Sequence, residues 1–270
     1  MELGGKVTLK EVNNMNFVFD LDGTICFQGK PLEEDICAAL DELLRIGHRV
    51  IFASARPIRD MLPVLPEKYH ACHMVGGNGA FTYQNGEIQV TYFSDETTTS
   101  FKDLIIQHEL KYHADSDWDY AYTGSIDHPF YLNVDPGKRA TNKQWEQLNG
   151  ICKLVLFSPP KEVKETVRKL PVNCFEHQAE EILDISPQNI HKVNGLGKLG
   201  IHKFVAFGND ANDTCLFEHA DYSVCVGNHP VSKYATEQIL PSEVPAVIKR
   251  FANTSLKEHE HDNTSKTFNR

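Results

Sequence analysis

Apolar residues along this chain fall into two styles of run. Phe17-Val18-Phe19 is continuously apolar and ends abruptly at Asp20-Leu21-Asp22-Gly23-Thr24. A run that does not alternate reads as a parallel strand buried on both faces, here over residues 16–20. Arg49-Val50-Ile51-Phe52-Ala53-Ser54, Phe204-Val205-Ala206-Phe207-Gly208 and residues 222–226 share that style. Between the first two runs, Ile36, Leu40, Leu43 and Leu44 recur at helical spacing. Pro31 precedes them and Gly47 follows, which predicts a helix over residues 32–46. Pro57 suits the first turn of another helix. A third short strand at residues 73–76 leads into the turn Gly76-Gly77-Asn78-Gly79. This order of elements predicts an α/β fold with a doubly wound, Rossmann-like parallel sheet.

From residue 83 the style changes to short alternating or aromatic strands (residues 87–93, 120–122, 130–134, 153–157 and 181–185). Polar helical stretches at 97–111 and 160–169 separate them. The parallel style then returns, so residues 83–186 are expected to form an α+β cap inserted into a core of residues 15–82 and 187–251. Residues 1–14 are expected as an N-terminal extension and residues 252–270 as a frayed polar tail.

The formal net charge of −10 argues against a nucleic-acid partner, and it requires that any anionic substrate be held by local positive charge. None of the seven cysteines forms a C-x-x-C pair, and the thirteen histidines show no zinc-like spacing. No apolar stretch nears the length of a membrane span, and there is no signal peptide. A reduced, cytoplasmic protein without a membrane partner is expected, as a monomer or weak homo-oligomer.

In an open α/β sheet, ligands bind beyond the carboxyl ends of the strands. Asp20 and Asp22 lie two residues apart, start from one face of a strand, and repel unless a cation or proton separates them. The second strand delivers Ser54, the third Asn78, and the strand at 204–208 delivers Asn209-Asp210-Ala211-Asn212-Asp213. Each has a plainer use alone: Ser54, Asn212 and Asp213 are also natural helix caps. Together they favour a metal-dependent site. Gly195-Leu196-Gly197-Lys198-Leu199-Gly200 fits the dinucleotide pattern G-x-G-x-x-G but lies outside the first βαβ unit, and reads as a glycine-rich short helix and loop.

In order, Asp20-Leu21-Asp22-Gly23-Thr24, Ser54-Ala55-Arg56, Gly77-Asn78-Gly79, Lys192 and Gly208-Asn209-Asp210-Ala211-Asn212-Asp213 resemble the motifs of the haloacid dehalogenase-like superfamily. The spacing is similar to its Cof-type phosphatases, which carry a large α/β cap. The resemblance implies a Mg²⁺-dependent phosphatase acting on a small phosphorylated metabolite, a sugar phosphate above all. Asp20 would be the nucleophile and Asp22 the acid/base. Mg²⁺ would lie on the Asp20 carboxylate, the Asp22 carbonyl and the motif beginning at Asn209, with Asp213 as ligand or supporting partner. Ser54, the Leu21 and Ala55 amides, Asn212 and Lys192 would hold phosphate oxygens, with Arg56 and Asn78 facing the cap. The family's aspartate in Gly-Asp-x-x-Asn-Asp is Asn209 here, so the metal ligand is either that amide or the neighbouring Asp210. A phosphomutase and a non-catalytic phosphometabolite-binding protein are the alternative functions. Candidate cap loops for specificity are residues 124–128 and 135–139, including Lys138 and Arg139.

Overall fold

The computed structural model describes residues 14–177 and 181–253. The N-terminal extension, apart from residue 14, and the tail beyond residue 253 lie outside the described residues.

The elements run β1 (Asn16–Phe19), α1 (Glu34–Arg45), β2 (Arg49–Ala53), α2 (Ile58–Met61), β3 (His73–Gly76), β4 (Phe81–Gln84) and β5 (Glu87–Val90). They continue with α3 (Asp95–Gln107), β6 (Lys111–Asp115), β7 (Tyr120–Tyr122), β8 (Lys153–Phe157), α4 (Lys161–Val167), β9 (Val172–His177) and β10 (Ile182–Pro187). Last come α5 (Lys192–Lys198), β11 (Val205–Gly208), α6 (Thr214–His219), β12 (Tyr222–Val226) and β13 (Glu237–Ile239).

An eight-stranded sheet has the order β13-β12-β11-β1-β2-β3-β4-β5. Its first six strands are parallel to their neighbours, and β4 and β5 add an antiparallel hairpin at the edge. The continuous apolar runs follow from burial on both faces. Phe17, Phe19, Val50, Phe52, Val205 and Phe207 point into one layer with α1 and the helical residues from 244. Val18, Ile51, Ala53 and Ala206 point into the other, with Leu196 of α5 and Leu216 and Phe217 of α6. The doubly wound core is thus as the sequence predicts.

The second sheet is antiparallel, in the order β7-β6-β8-β10-β9. Ala114, Leu154, Leu156, Leu183 and Ile185 on its one face pack on Phe101 of α3 and on Val163 and Val167 of α4. The alternate residues His113, Asp115, Lys153 and Asp184 therefore stand on the opposite face, toward the core.

Three expectations need correction. The strand expected at 87–93 as the first of the cap is β5, paired with β4 in the large sheet, so the cap begins after it. Residues 129–133 form a 3-10 turn rather than a strand. Pro129 has no N–H to donate to a ladder, and His128 Nδ1 accepts from the Phe130 N–H at 3.1 Å. The core also reaches past 251: Ala252 is fully buried in the layer containing Phe17 and Leu40.

A buried ion network joins core to cap. Arg59 of α2 grips Asp60 by two hydrogen bonds, at 2.8 and 2.9 Å, and reaches Asp115 of β6 at 3.0 Å and the Trp118 carbonyl at 2.7 Å. The second Asp115 oxygen lies 2.9 Å from His113 Nε2. Burial alone would raise the Asp115 carboxyl, but His113 and Arg59 outweigh it and hold it well below the usual range. Removing the guanidinium in Arg59→Leu strands two buried carboxylates. A loss of about 3–5 kcal/mol is expected in urea denaturation.

Candidate active site

The site forms where the parallel strands end. The Asp20 N–H makes its last ladder contact to the Phe207 carbonyl at 2.9 Å, and the chain then turns at Gly23, whose φ is +80°. Asp20 is buried. Its Oδ1 accepts from Lys192 Nζ at 2.6 Å and its Oδ2 from Thr24 Oγ1 at 3.1 Å. Lys192 Nζ also donates to Asp213 Oδ1 at 2.6 Å. Burial pulls the ammonium down, but the two carboxylates more than offset it, and Lys192 stays protonated. Burial also pushes the Asp20 carboxyl up to about 7, against the opposing pull of Lys192.

Lys192 is the first residue of α5, and two glycines let that helix come in close. A Cβ on Gly79 would lie 2.4 Å from the His191 carbonyl oxygen, and one on Gly195 would lie 2.4 Å from Val75 Cγ1. The G-x-G-x-x-G segment is thus the short helix the sequence predicts, and its first glycine serves close packing rather than nucleotide binding.

Asp22 is half exposed and is held by Arg56, with Nε 2.8 Å from Oδ2 and Nη2 2.6 Å from Oδ1. Ser54 is buried at the end of β2, where its Oγ accepts from the Arg56 N–H at 3.1 Å, leaving the hydroxyl hydrogen for another partner. The Leu21 and Ala55 amides directly follow Asp20 and Ser54, the last residues of their strands to bond a neighbouring strand's carbonyl. Asn78 takes a positive φ of 55° in the turn after β3, and its side-chain oxygen accepts from Asn212 Nδ2 at 3.2 Å. The Asn212 Oδ1 is buried without a partner.

The metal candidates separate clearly. Both Asp213 oxygens are taken: Oδ1 by Lys192, and Oδ2 by the N–H groups of Asn209 and Asp210 at 2.9 and 3.1 Å. Asp210 is exposed and caps its own turn, its Oδ1 accepting from the Ala211 N–H at 2.6 Å. The Asn209 amide instead meets Asp20 Oδ2 and the Asp22 carbonyl. Among the described residues, no three His, Cys, Asp or Glu side chains converge as a metal site. The oxygens available are one carboxylate, one backbone carbonyl and one amide. Hard oxygen donors of this kind fit Mg²⁺, with a single formal charge among them.

A cavity of about 260 Å³ opens beside Asp22. The core lines it with Ala55, Arg56, Pro57 and Asp60, and the cap with His113, Asp115, Phe130, Asn133, Val134 and Lys153. Lys153 Nζ pairs with Asp184 at 3.0 Å. The expected cap loops do not line this cavity. Asp135 is occupied in its own turn, accepting from the Arg139 and Ala140 N–H groups at 2.7 and 2.9 Å. The charged residues missed sit on strands, and the signal was present: His113-Ala114-Asp115 and Lys153-Leu154-Val155 alternate polar or charged with apolar within otherwise apolar runs.

The geometry defines a strand-end acid site under an inserted cap, and comparison with known proteins agrees. The profile of the haloacid dehalogenase-like hydrolases matches residues 17–249, and the chain belongs to that family, with the Cof-type architecture. It is 26% identical over 226 residues to a Bacillus subtilis (strain 168) protein called "Putative phosphatase YkrA", covering 78% of this chain and 85% of that one. Among solved structures, a haloacid dehalogenase-like hydrolase from Bacteroides thetaiotaomicron superposes with a TM-score of 0.74 at 21% identity, over 88% of this chain and all of that one. TM0651 from Thermotoga maritima gives 0.73 at 22% identity, over 88% and 97%. A protein described as the HAD subclass IIB sugar phosphatase BT4131 gives 0.72 at 15% identity, over 88% and 99%. At these identities the superpositions speak for the fold.

Gly195→Ala tests the placement of Lys192. The new methyl forces α5 off Val75, so about a tenfold or greater fall in kcat/KM is expected with a stability loss of about 1–3 kcal/mol. Unchanged kinetics would show that the close approach of α5 is not needed.

Proposed function

We propose that this haloacid dehalogenase-like phosphatase hydrolyses the phosphate monoester of a small polyhydroxylated metabolite, a sugar phosphate, through a phosphoryl group carried on Asp20. The observation that carries the reading is the buried ammonium of Lys192 between Asp20 and Asp213, with Asp22, two residues beyond Asp20, lining the cavity. In the first step an Asp20 carboxylate oxygen attacks phosphorus, the bond to the ester oxygen breaks, and Asp22 gives its proton to the departing oxygen. In the second step water attacks phosphorus, Asp22 takes its proton, the bond between phosphorus and Asp20 breaks, and phosphate leaves. Ser54, Asn212, Lys192 and the Leu21 and Ala55 amides hold the phosphate oxygens. Mg²⁺, held by the Asp20 carboxylate, the Asp22 carbonyl and Asn209, would supply positive charge to the phosphate and the ionised nucleophile. Arg56 donates to both Asp22 oxygens in the structure, so one of these contacts opens when Asp22 carries the proton it delivers.

The cavity supports a polyhydroxylated leaving group. Asp60, Asp115 and Asn133 offer acceptors and Arg56, Lys153 and Asn133 offer donors, a mixture that suits hydroxyls better than a second anion. Its volume suits a single small metabolite. The subclass IIB sugar phosphatase among the structural relatives supports the same class. Seven free cysteines support a reducing compartment, the cytoplasm.

Asp20→Asn is expected to lower turnover of p-nitrophenyl phosphate and of a sugar-phosphate panel by at least about a thousandfold. Retained activity would end the proposal, and tight binding without turnover by the wild type in saturating Mg²⁺ would establish a binding protein instead. Lys153→Met is expected to raise KM for the preferred sugar phosphate about tenfold while leaving p-nitrophenyl phosphate nearly unaffected. Equal loss on both substrates would remove Lys153 from the specificity set.

A further inference from the structure

The charged groups lining the large cavity are already paired. Arg56 holds both Asp22 oxygens, Arg59 holds both Asp60 oxygens, and Asp115 divides its two between Arg59 and His113. Lys153 pairs with Asp184. Among the described residues, four buried side-chain atoms lack a hydrogen-bond partner, and only one of them, His113 Nδ1, belongs to a residue lining this cavity. His113 is 2% exposed, and its ring lies beside those of Tyr120, Tyr122 and Phe130 at centroid distances of 5.7, 6.1 and 5.3 Å. Asp115 is ionised, so the 2.9 Å contact requires the hydrogen on His113 Nε2. Nδ1 is therefore the ring's one uncommitted hydrogen-bonding atom. A buried polar atom left unpaired costs stability, and a ligand that supplies its partner recovers that cost on binding.

We propose that His113 Nδ1 is the atom by which the cap reads the leaving group, taking one hydroxyl of the metabolite as its partner. Nδ1 accepts in the neutral ring and donates in the protonated one. A hydroxyl serves either state, because it both donates and accepts. A carboxylate or second phosphate serves only the protonated ring, and an ammonium only the neutral one. Asp115 and Arg59 are positioning residues. Asp115 fixes which ring nitrogen carries the hydrogen and how the ring is turned, and Arg59, from α2 of the core, fixes Asp115. The inference rests on the proposed reaction with a sugar phosphate, and adds the atom that discriminates among such esters.

Its test removes the hydroxyl from the substrate and the nitrogen from the protein in turn. Aldose and polyol phosphates are screened with Mg²⁺, and the preferred ester is compared with each of its monodeoxy analogues. In wild type, the analogue lacking the bound hydroxyl is expected to lose about tenfold or more in kcat/KM. His113→Phe keeps an aromatic ring in place. It is expected to lose about as much on the parent ester and nothing further on that one analogue. Its turnover of p-nitrophenyl phosphate, which offers no hydroxyl, is expected to change less than about threefold. Losses that add at every hydroxyl would overturn the proposal, as would an equal fall on p-nitrophenyl phosphate, since a structural role lowers all substrates alike. Should His113→Phe not fold, ¹⁵N spectra of wild type decide. Adding the preferred ester to chelator-treated protein is expected to shift the His113 Nδ1 resonance, and an unmoved Nδ1 would overturn the proposal. A protein that hydrolyses no phosphate ester loses the proposed reaction together with this inference. One that hydrolyses them with additive losses loses this inference alone.

Discussion

The site depends on one ammonium group. Lys192 Nζ is almost fully enclosed and sits 2.6 Å from an oxygen of each of Asp20 and Asp213. Three charges so placed are tolerable only together, since removing the cation leaves two buried carboxylates facing each other. The bridge also ties together distant parts of the chain: the end of β1, the start of α5 and the turn after β11. The other Asp213 oxygen collects the N–H groups of Asn209 and Asp210, and so sets the backbone of the loop that carries Asn209. Asp20, its counterion Lys192 and the Asn209 loop are thus parts of one electrostatic unit.

Much of this unit was legible in the sequence because parallel sheets write their active ends plainly. A strand buried on both faces has no room for polar residues until it emerges, so the first acid, amide or hydroxyl after each apolar run marks the ligand-binding edge. Asp20, Ser54, Asn78 and the segment from Asn209 were found that way. Lys192 does not end a strand and came only from the family resemblance. The dual role of Asp213, salt-bridged on one side and gathering backbone N–H groups on the other, needs three-dimensional placement that no spacing conveys.

The cap was harder to read, for a physical reason. Its sheet is covered by helices on one face only, so charged residues interleave with apolar ones all along its strands rather than collecting at their ends. His113, Asp115 and Lys153 therefore resemble ordinary solvent-facing positions, while the loops at 124–128 and 135–139 attract attention by their glycines and charges. The same ambiguity misplaced β5. Its Glu87-Ile88-Gln89-Val90 alternation is that of an edge strand, and an edge strand of the large sheet looks like a strand of the small one.

The connection between the two sheets is made largely of charge. Arg59, Asp60, Asp115 and His113 are each at most 4% exposed, and together they form the seam of α2 against β6. An apolar seam would resist parting because water gains nothing from it. These groups are different: hydration would recover most of what their mutual attraction gives, since ions surrendered to the interior have already forfeited their water. A seam joined this way fits in one register, because Arg59 meets the Asp115 carboxylate and the Trp118 carbonyl across it at once. The seam works less as glue than as a key.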